Sequence, residues 1–525
     1  MLFLSMLFAL FVSAKAVKQP PSQKGNVKIV ELKQAGFLDK REGLDAQILL
    51  NDVILYHEGA YMYCDSAYLF EASNSFEAFS NVVMEQGDTI FVYGDHLFYD
   101  GNTRLARLRD NIRMEDKQVT LFTDSLNYDR MANLGYYFEG GMLVDEKNEL
   151  TSFWGQYNPE TKDALFSNTV KLVNEDFTIY SDTLEYNTET KIADILGPST
   201  IVSDSGFIVT KQGWYNTDTE DARLYDRSEI YSSDTTKVLI GDTIFYNRLN
   251  GIADVYGNMY MEDFKQKMIL HGGFGTYNEK IEYGMATDSA YVIDYSQSDS
   301  LFLHGDTLQM FTDSIYKDVK AFYNVRFFRE DMQGLCDSMS YVQRDSILYL
   351  VGNPVIWNGG NQVLGDRIDI YLNDTTIEKA HVRDYALAIQ DRQKDAQYNQ
   401  ISGRDMQIFF DNNELRHVLV EGNAESLYYL VENDSIGTIL GLNKTESAYL
   451  TMDFKNEELE KLKLWPAVQA VTTPLSQLLP DGSKLKGFMW LDYLRPKHKM
   501  DIFRRNKREG ADGDVKAPKK FIRED

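Results

Sequence analysis

Basic residues are outnumbered in this chain: 54 Lys and Arg stand against 80 Asp and Glu, a formal charge of −26. That deficit excludes a nucleic-acid ligand, because neutralising phosphates requires a basic face. Proline is scarce, 10 in 525 residues, so little interrupts extended structure. Cysteine is nearly absent. Only Cys64 and Cys336 occur, each in a Cys-Asp-Ser tripeptide, which rules out a disulfide-stapled scaffold. Past the first dozen residues no stretch approaches the roughly 20 apolar residues that span a bilayer. Gly-x-Ser-x-Gly, a phosphate-binding loop and Cys-x-x-Cys are all missing, which removes the common hydrolase, nucleotide and redox motifs. No enzyme activity, cofactor or metal is expected.

The aromatic residues are plentiful, with 33 Tyr and 29 Phe, and suit a pleated, half-buried surface. The chain opens Met1-Leu-Phe-Leu-Ser-Met-Leu-Phe-Ala-Leu-Phe-Val-Ser, then Ala14-Lys15-Ala16. An apolar run before a small-x-small site reads as a signal peptide over residues 1–16. The basic residues that usually precede such a run are absent, so a retained anchor or buried strand is the alternative. Export is the expectation.

A unit of roughly 30 residues recurs from about residue 60 to about 420. Its clearest copies are Gly94-Asp-His-Leu-Phe-Tyr-Asp100, Thr123-Asp-Ser-Leu-Asn-Tyr-Asp129, Ser181-Asp-Thr-Leu-Glu-Tyr-Asn187 and Gly241-Asp-Thr-Ile-Phe-Tyr-Asn247. Tyr99, Tyr128, Tyr157, Tyr186, Tyr215, Tyr246 and Tyr277 are each followed by Asp or Asn. Seven positions beyond each lies Ala106, Gly135, Ala164, Ala193, Ala222, Ala253 or Gly284. In Asp-Ser/Thr-Leu-x-Tyr the Leu and Tyr share one face of a strand, and the Asp or Asn after Tyr supplies turn chemistry. Each repeat is too small to bury its own apolar face, so neighbours must stack.

Stacking predicts an all-β, elongated solenoid of about twelve rungs over residues 26–455, with identical positions about 4.8 Å apart and a rod on the order of 55 to 60 Å long. About nine rungs would separate the two cysteines, beyond disulfide reach. Both are expected as free thiols filling small-residue positions. Leu97, Tyr99, Leu126, Tyr128, Tyr157, Leu184, Tyr186, Tyr215, Ile244, Tyr246 and Tyr277 would line an inner trough. A closed solenoid with a dry core is the alternative. Tyr at the inward position favours an accessible trough, since a buried hydroxyl needs a partner.

Residues 456–525 depart from the pattern. Glu457-Glu-Leu-Glu-Lys-Leu-Lys-Leu464 has helical periodicity, and Pro466, Pro474, Pro480 and Pro496 punctuate the stretch after it. Residues 484–525 carry thirteen Lys or Arg against seven Asp or Glu. This is expected as an irregular C-terminal cap and a basic tail whose last twenty residues are disordered.

The Asp-Ser/Thr-Leu-x-Tyr-Asp/Asn repeats, the Asp110-Asn-Ile112 and Gly257-Asn-Met259 turns and the exported start resemble the OstA family, over roughly residues 26–455. The resemblance is closest in kind to the long LptA-like proteins of Bacteroidetes. It implies a β-jellyroll or β-taco, a periplasmic location, lipopolysaccharide as ligand, and other trough-bearing transport proteins as end-to-end partners. Head-to-tail self-stacking would also arise from open strand edges. The rungs are longer than in short bridge proteins and no outer-membrane barrel follows them, so a translocon role is not implied.

Other readings compete with this one. A surface solenoid for adhesion or assembly fits the repeats equally well but lacks a C-terminal sorting signal. A polysaccharide-cleaving solenoid would need one unique carboxylate pair. Here Asp95, Asp124, Asp182, Asp242, Asp306, Asp337, Asp366 and Asp405 recur at one phase, which suggests corner hydrogen bonds to backbone N–H groups. His271 and His304 share a repeat phase and would stack about 5 Å apart, without further metal ligands.

Overall fold

The computed structural model describes residues 29–312, 316–373, 376–392, 397–411, 414–432, 438–455 and 458–505. The expected signal segment 1–16 and the last twenty residues lie outside the described residues. Among the described residues, regular structure consists of 42 strands and five short 3-10 helices. The fold is all-β. The chain divides into two compact units: residues up to Glu146 with Phe153–Asp163, and Lys147–Ser152 with residues from Ala164 onward.

In the first unit, the strands Gln47–His57, Ala60–Phe70, Ser75–Gln86, Ile90–Asp100, Leu105–Glu115 and Thr120–Asp129 form an antiparallel meander. Each strand turns a corner near its middle. Along Ile90–Asp100 the buried positions are Ile90, Val92 and Gly94, then Leu97 and Tyr99, so the period of two slips at Asp95-His96. The neighbouring strand makes the same corner with one extra residue, its two corner residues Asp110-Asn111 both at positive φ. Short polar Asx side chains tolerate that conformation best. The Asn111 amide donates to Asp95 Oδ2 at 2.5 Å, and Asn81 donates to Asp65, Asn258 to Asp242 and Asn324 to Asp306 in the same way.

The periodic aspartates are therefore corner residues, but with one correction. Where these bonds form, the carboxylate accepts from an asparagine side chain on the adjacent strand rather than from backbone N–H. Two φ-positive residues project that amide straight at it. Cys64 and Cys336 occupy the small inward position at two such corners, both buried free thiols, and burial pushes both up to about 12.

The residue after each tyrosine caps a turn. Asp100, Asp129, Asn158, Asn187, Asn216, Asn247 and Asn278 each accept a hydrogen bond from a backbone amide two or three residues on. The return strand then brings the small residue opposite the tyrosine. Tyr99 pairs with Ala106, which pairs with Tyr128, which pairs with Gly135. In the second unit the ladder reads Tyr186, Ala193, Tyr215, Ala222, Tyr246, Ala253, Tyr277, Gly284. Equivalent positions are thus two strands apart, about 10 Å, and not the single spacing expected. Each repeat is a hairpin, and a small residue separates successive rings.

The second unit uses the same meander with many strands broken at the corner. Phe177–Asn187 pairs with Ile192–Ile195 along one half and with Ser199–Ser203 along the other, with Gly197-Pro198 between, where a missing N–H does no harm. The ladder continues through Glu414–Val431 and Ile439–Lys455 to Glu458–Trp465 and Gln469–Pro474. The helix expected over 457–464 is therefore a strand. Phe454 faces Leu459, Met452 faces Leu462 and Leu450 faces Leu464, and the bulge at Glu460 turns a spacing of two into three. A bulged strand thereby mimics helical periodicity.

His271 and His304 do not stack either. His271 pairs with Tyr291, and Tyr291 pairs with His304, so an aromatic ring stacked on His271 at 4.9 Å lies between them. After Pro474 the chain folds back across the inner face in short 3-10 turns, Leu475–Gln477, Pro480–Ser483, Asp492–Leu494 and Lys499–Phe503. Leu485 joins Leu427, Tyr429 and Leu442 in one buried cluster. Leu491 and Leu494 join Trp357, Leu364 and Ile389 in another.

Candidate functional site

Leucine and tyrosine of the repeat point inward in both units, but they do different things along the chain. In the first unit Leu97, Tyr99, Leu126, Tyr128 and Tyr157 are all buried. Each such side chain withdrawn from water stabilises the rung by roughly 1.5–3 kcal/mol. The Tyr99 and Tyr157 hydroxyls then reach from one row of hairpin turns to the opposite row, while Tyr128 meets Asn133 on its own row at 3.5 Å. Tyr99 Oη lies 2.8 Å from His57 Nδ1 and accepts from Arg130 Nη1 at 2.7 Å. Arg130 also donates to the His57 and Glu58 carbonyls at 3.1 Å. Tyr157 donates to Asp116 at 2.7 Å, where Lys162 also lands. These rungs are latched shut, and burial raises the Tyr128 phenol to about 12.

The second unit starts the same way. Leu184 and Tyr186 are buried, and Tyr186 Oη accepts from Asn148 at 2.8 Å, with Asn174 and Thr217 completing the network. Phe177 packs edge-on against Tyr215 at 4.8 Å. Beyond that contact the latches lapse. Tyr246 bonds to Glu279 at 3.0 Å and to Arg248 at 3.4 Å, both on its own row of turns. A cavity of about 430 Å³ opens.

Ile201, Ile208, Ile230, Leu239 and Met261 form one side of the cavity, and Tyr215, Tyr246, Ala253 and Tyr277 form the other. Ile244 is buried but does not line it. Three of the eleven expected trough residues therefore meet in one accessible space, Ile244 is buried on the same strand as Tyr246, and the other seven pack in closed rungs. Ser203, Ser205, Ser232 and Ser233 edge one lip; Glu220, Arg248, Glu279 and Glu282 edge the other.

Two contacts span the mouth: Arg248 donates to Ser205 at 3.2 Å, and Lys237 lies 3.5 Å from Glu282. Arg248 also lies 3.5 Å from Glu220 and 3.6 Å from Glu279. Burial alone would lower Lys237, but neighbouring groups, the Glu282 and Asp263 carboxylates among them, outweigh it and hold the amine above its ordinary value. Burial raises the Tyr215, Tyr246 and Tyr277 phenols, so all three stay neutral. The lip carries three carboxylates against two cations, all engaged with one another. An apolar chain is what this space can take, with any anionic headgroup left outside. Among the described residues no group of three or more His, Cys, Asp or Glu is placed to hold a metal ion.

Sequence reasoning named the tyrosines but not the serine lip, Lys237 or Arg248. What distinguishes the open rungs is the opposite turn, where serines replace His57, Asp116 and Asn148.

Residues 26–182 match the family described as OstA-like protein. Over those residues the chain is similar to that family. The cavity lies beyond the matched segment, in rungs that continue the same tyrosine ladder. Among solved structures, the chain is similar to LptH from Pseudomonas aeruginosa, the LptA homologous periplasmic component of the conserved lipopolysaccharide transport device. That similarity covers 27% of this chain and 95% of that one at 14% identity, with a TM-score of 0.21, too slight to build on. No curated protein matches.

Proposed function

We propose that this OstA-like protein is exported to the periplasm and shields the acyl chains of lipopolysaccharide on their way to the outer membrane, without catalysing a reaction. The observation that carries the reading is the cavity beneath Tyr215, Tyr246 and Tyr277. It is apolar inside, open at a polar lip, and preceded by a rung of the same type that is latched shut at Tyr186. Each methylene buried there contributes roughly 0.8 kcal/mol, enough for a chain to enter without specific polar contacts. The lip has one more carboxylate than cation, which keeps a phosphorylated headgroup in solvent. End-to-end partners would be other trough-bearing transport proteins, a role open to the last strand, Gln469–Pro474, where Val471 and the flanking Val468 and Leu475 are exposed.

Photo-crosslinking in cells tests this. A photoreactive phenylalanine at Tyr246 or Tyr277 should form covalent lipopolysaccharide adducts. The same residue at outward Tyr256, which is exposed, should form none. Adducts at neither cavity position, with the protein folded and exported, would return the chain to the reading of a closed adhesion or assembly solenoid.

A further inference from the structure

The cavity ends where the returning C-terminal segment begins. Its last lining strand is Met268–Asn278; one step on, Tyr291 and His304 meet Phe503 of the returning segment at 5.3 and 5.0 Å. From there to Leu442 the inner face is covered by residues 478–503. Beneath that cover runs a second ladder on the inner face, paired in order: Gln333, Trp357, Gln362, Ile389, Gln400, Leu427. Glutamine alternates with an apolar residue, just as tyrosine alternates with alanine in the other ladder.

The three glutamines are buried, and each meets the returning segment, Gln362 and Gln400 with both ends of the amide and Gln333 through its oxygen alone, its Nε2 donating to the Arg329 and Glu330 carbonyls. Gln362 donates Nε2 to the Met489 carbonyl at 2.7 Å and accepts from the Leu491 amide at 2.7 Å. Gln400 repeats the clamp one hairpin later, donating to the Ser483 carbonyl and accepting from the Leu485 amide, both at 2.8 Å. Gln333 accepts from Arg495 at 2.7 Å, and buried Arg326 donates to the Leu494 carbonyl at 2.9 Å. A side-chain amide that meets the carbonyl of one residue and the amide two residues on recognises extended peptide backbone. An alkyl chain offers neither group and would leave such an amide buried without partners, which is unfavourable.

We infer that Gln333, Gln362 and Gln400 form a peptide-binding track, occupied by this chain's own residues 483–495, which ends the acyl-binding path at His304. The inference rests on the acyl-chain reading for its cargo, while the track itself stands on the hydrogen bonds. Lipid contact is then confined to the cavity rungs, and the rungs from Gln333 onward bind peptide. Phe488 and Trp490 seal the groove against Tyr398 at 5.3 and 5.2 Å.

The test uses the full chain in cells with a photoreactive phenylalanine at Tyr246 or at partly buried Tyr398. Tyr246 should give lipid adducts, whereas Tyr398 should give an intramolecular crosslink to a peptide from residues 484–495 and no lipid. The paired substitution Gln362→Leu with Gln400→Leu should weaken that crosslink, speed trypsin cleavage of the backbone after Lys484 and Lys486, and let lipid adducts appear at Tyr398. Lipid adducts at Tyr398 in the unaltered chain at the level of Tyr246 would overturn the inference. So would a crosslink and trypsin resistance unchanged by the paired substitution. Absence of lipid at Tyr246 would overturn the acyl-chain reading and with it the path's end, while the Tyr398 crosslink would still report whether the track holds peptide.

Discussion

Arg248 donates to the Ser205 hydroxyl at 3.2 Å across the mouth of the cavity, the position at which other rungs carry a tyrosine latch. A long, half-exposed cation replaces a buried phenol. The bond is correspondingly weak, since exposed polar and ionic contacts contribute about 0–1 kcal/mol.

Removing both spanning contacts should open the mouth at little cost. Arg248→Ala with Lys237→Ala is expected to speed uptake of a fluorescent fatty-acid probe while changing stability by less than about 1 kcal/mol. Stopped-flow fluorescence and urea melts of the two proteins check this. An unchanged uptake rate would mean that these side chains do not gate entry.

The latched rungs should respond in the opposite sense. Tyr99→Phe deletes a hydroxyl shared by His57 and Arg130 and should destabilise the first unit by about 1–2 kcal/mol. Tyr246→Phe, on a partly exposed ring, should cost less. Hydrogen exchange resolved by segment separates the two units and reads each loss where it occurs.

The small residues of the tyrosine ladder set ring spacing. Ala193→Leu inserts bulk between Tyr186 and Tyr215 and should cost about 1–3 kcal/mol. Gly284→Ala should be tolerated, because an added Cβ would find no atom nearer than 3.8 Å, whereas at Gly241 it would fall 2.1 Å from Val255. Thermal unfolding should rank Gly241→Ala far below Gly284→Ala.

Acidity should loosen the end of the returning segment. Burial lowers the His271 and His304 imidazoles below their ordinary value. The unfolded chain therefore binds protons first as pH falls through about 6.5, and stability drops from there toward the folded values. Trypsin cleavage at Lys497 and Lys499, beside Phe503, should rise between about pH 7 and pH 5.5. Equal cleavage at both would show that neither histidine is linked to docking.

The tyrosine ladder was legible because its parts are local. An Asx turn after each tyrosine returns the chain so that the residue seven positions on faces the ring, and Ala106 or Gly135 can be read off directly. The cavity was not legible, since Tyr186 and Tyr246 sit in the same motif and differ in what the distant turn offers: Asn148 reaches the Tyr186 hydroxyl from the opposite row, whereas Tyr246 bonds to Glu279 and Arg248 on its own row. The glutamine track was invisible for a similar reason. Gln362 and Gln400 reach partners more than 80 residues away in sequence, and an isolated glutamine reads as surface. The strand over Glu458–Trp465 was mistaken for helix because one bulged residue changed the apolar spacing.

The alternation of tyrosine with alanine or glycine also limits how such a chain can change length. Losing one strand would set Tyr186 against Tyr215 with nothing small between them, and would point the Asx turn away from its row. Losing a hairpin restores the register at once. Length can therefore grow or shrink only in steps of about 30 residues, and variants of this protein should differ by whole hairpins, keeping the number of strands between any two tyrosines odd.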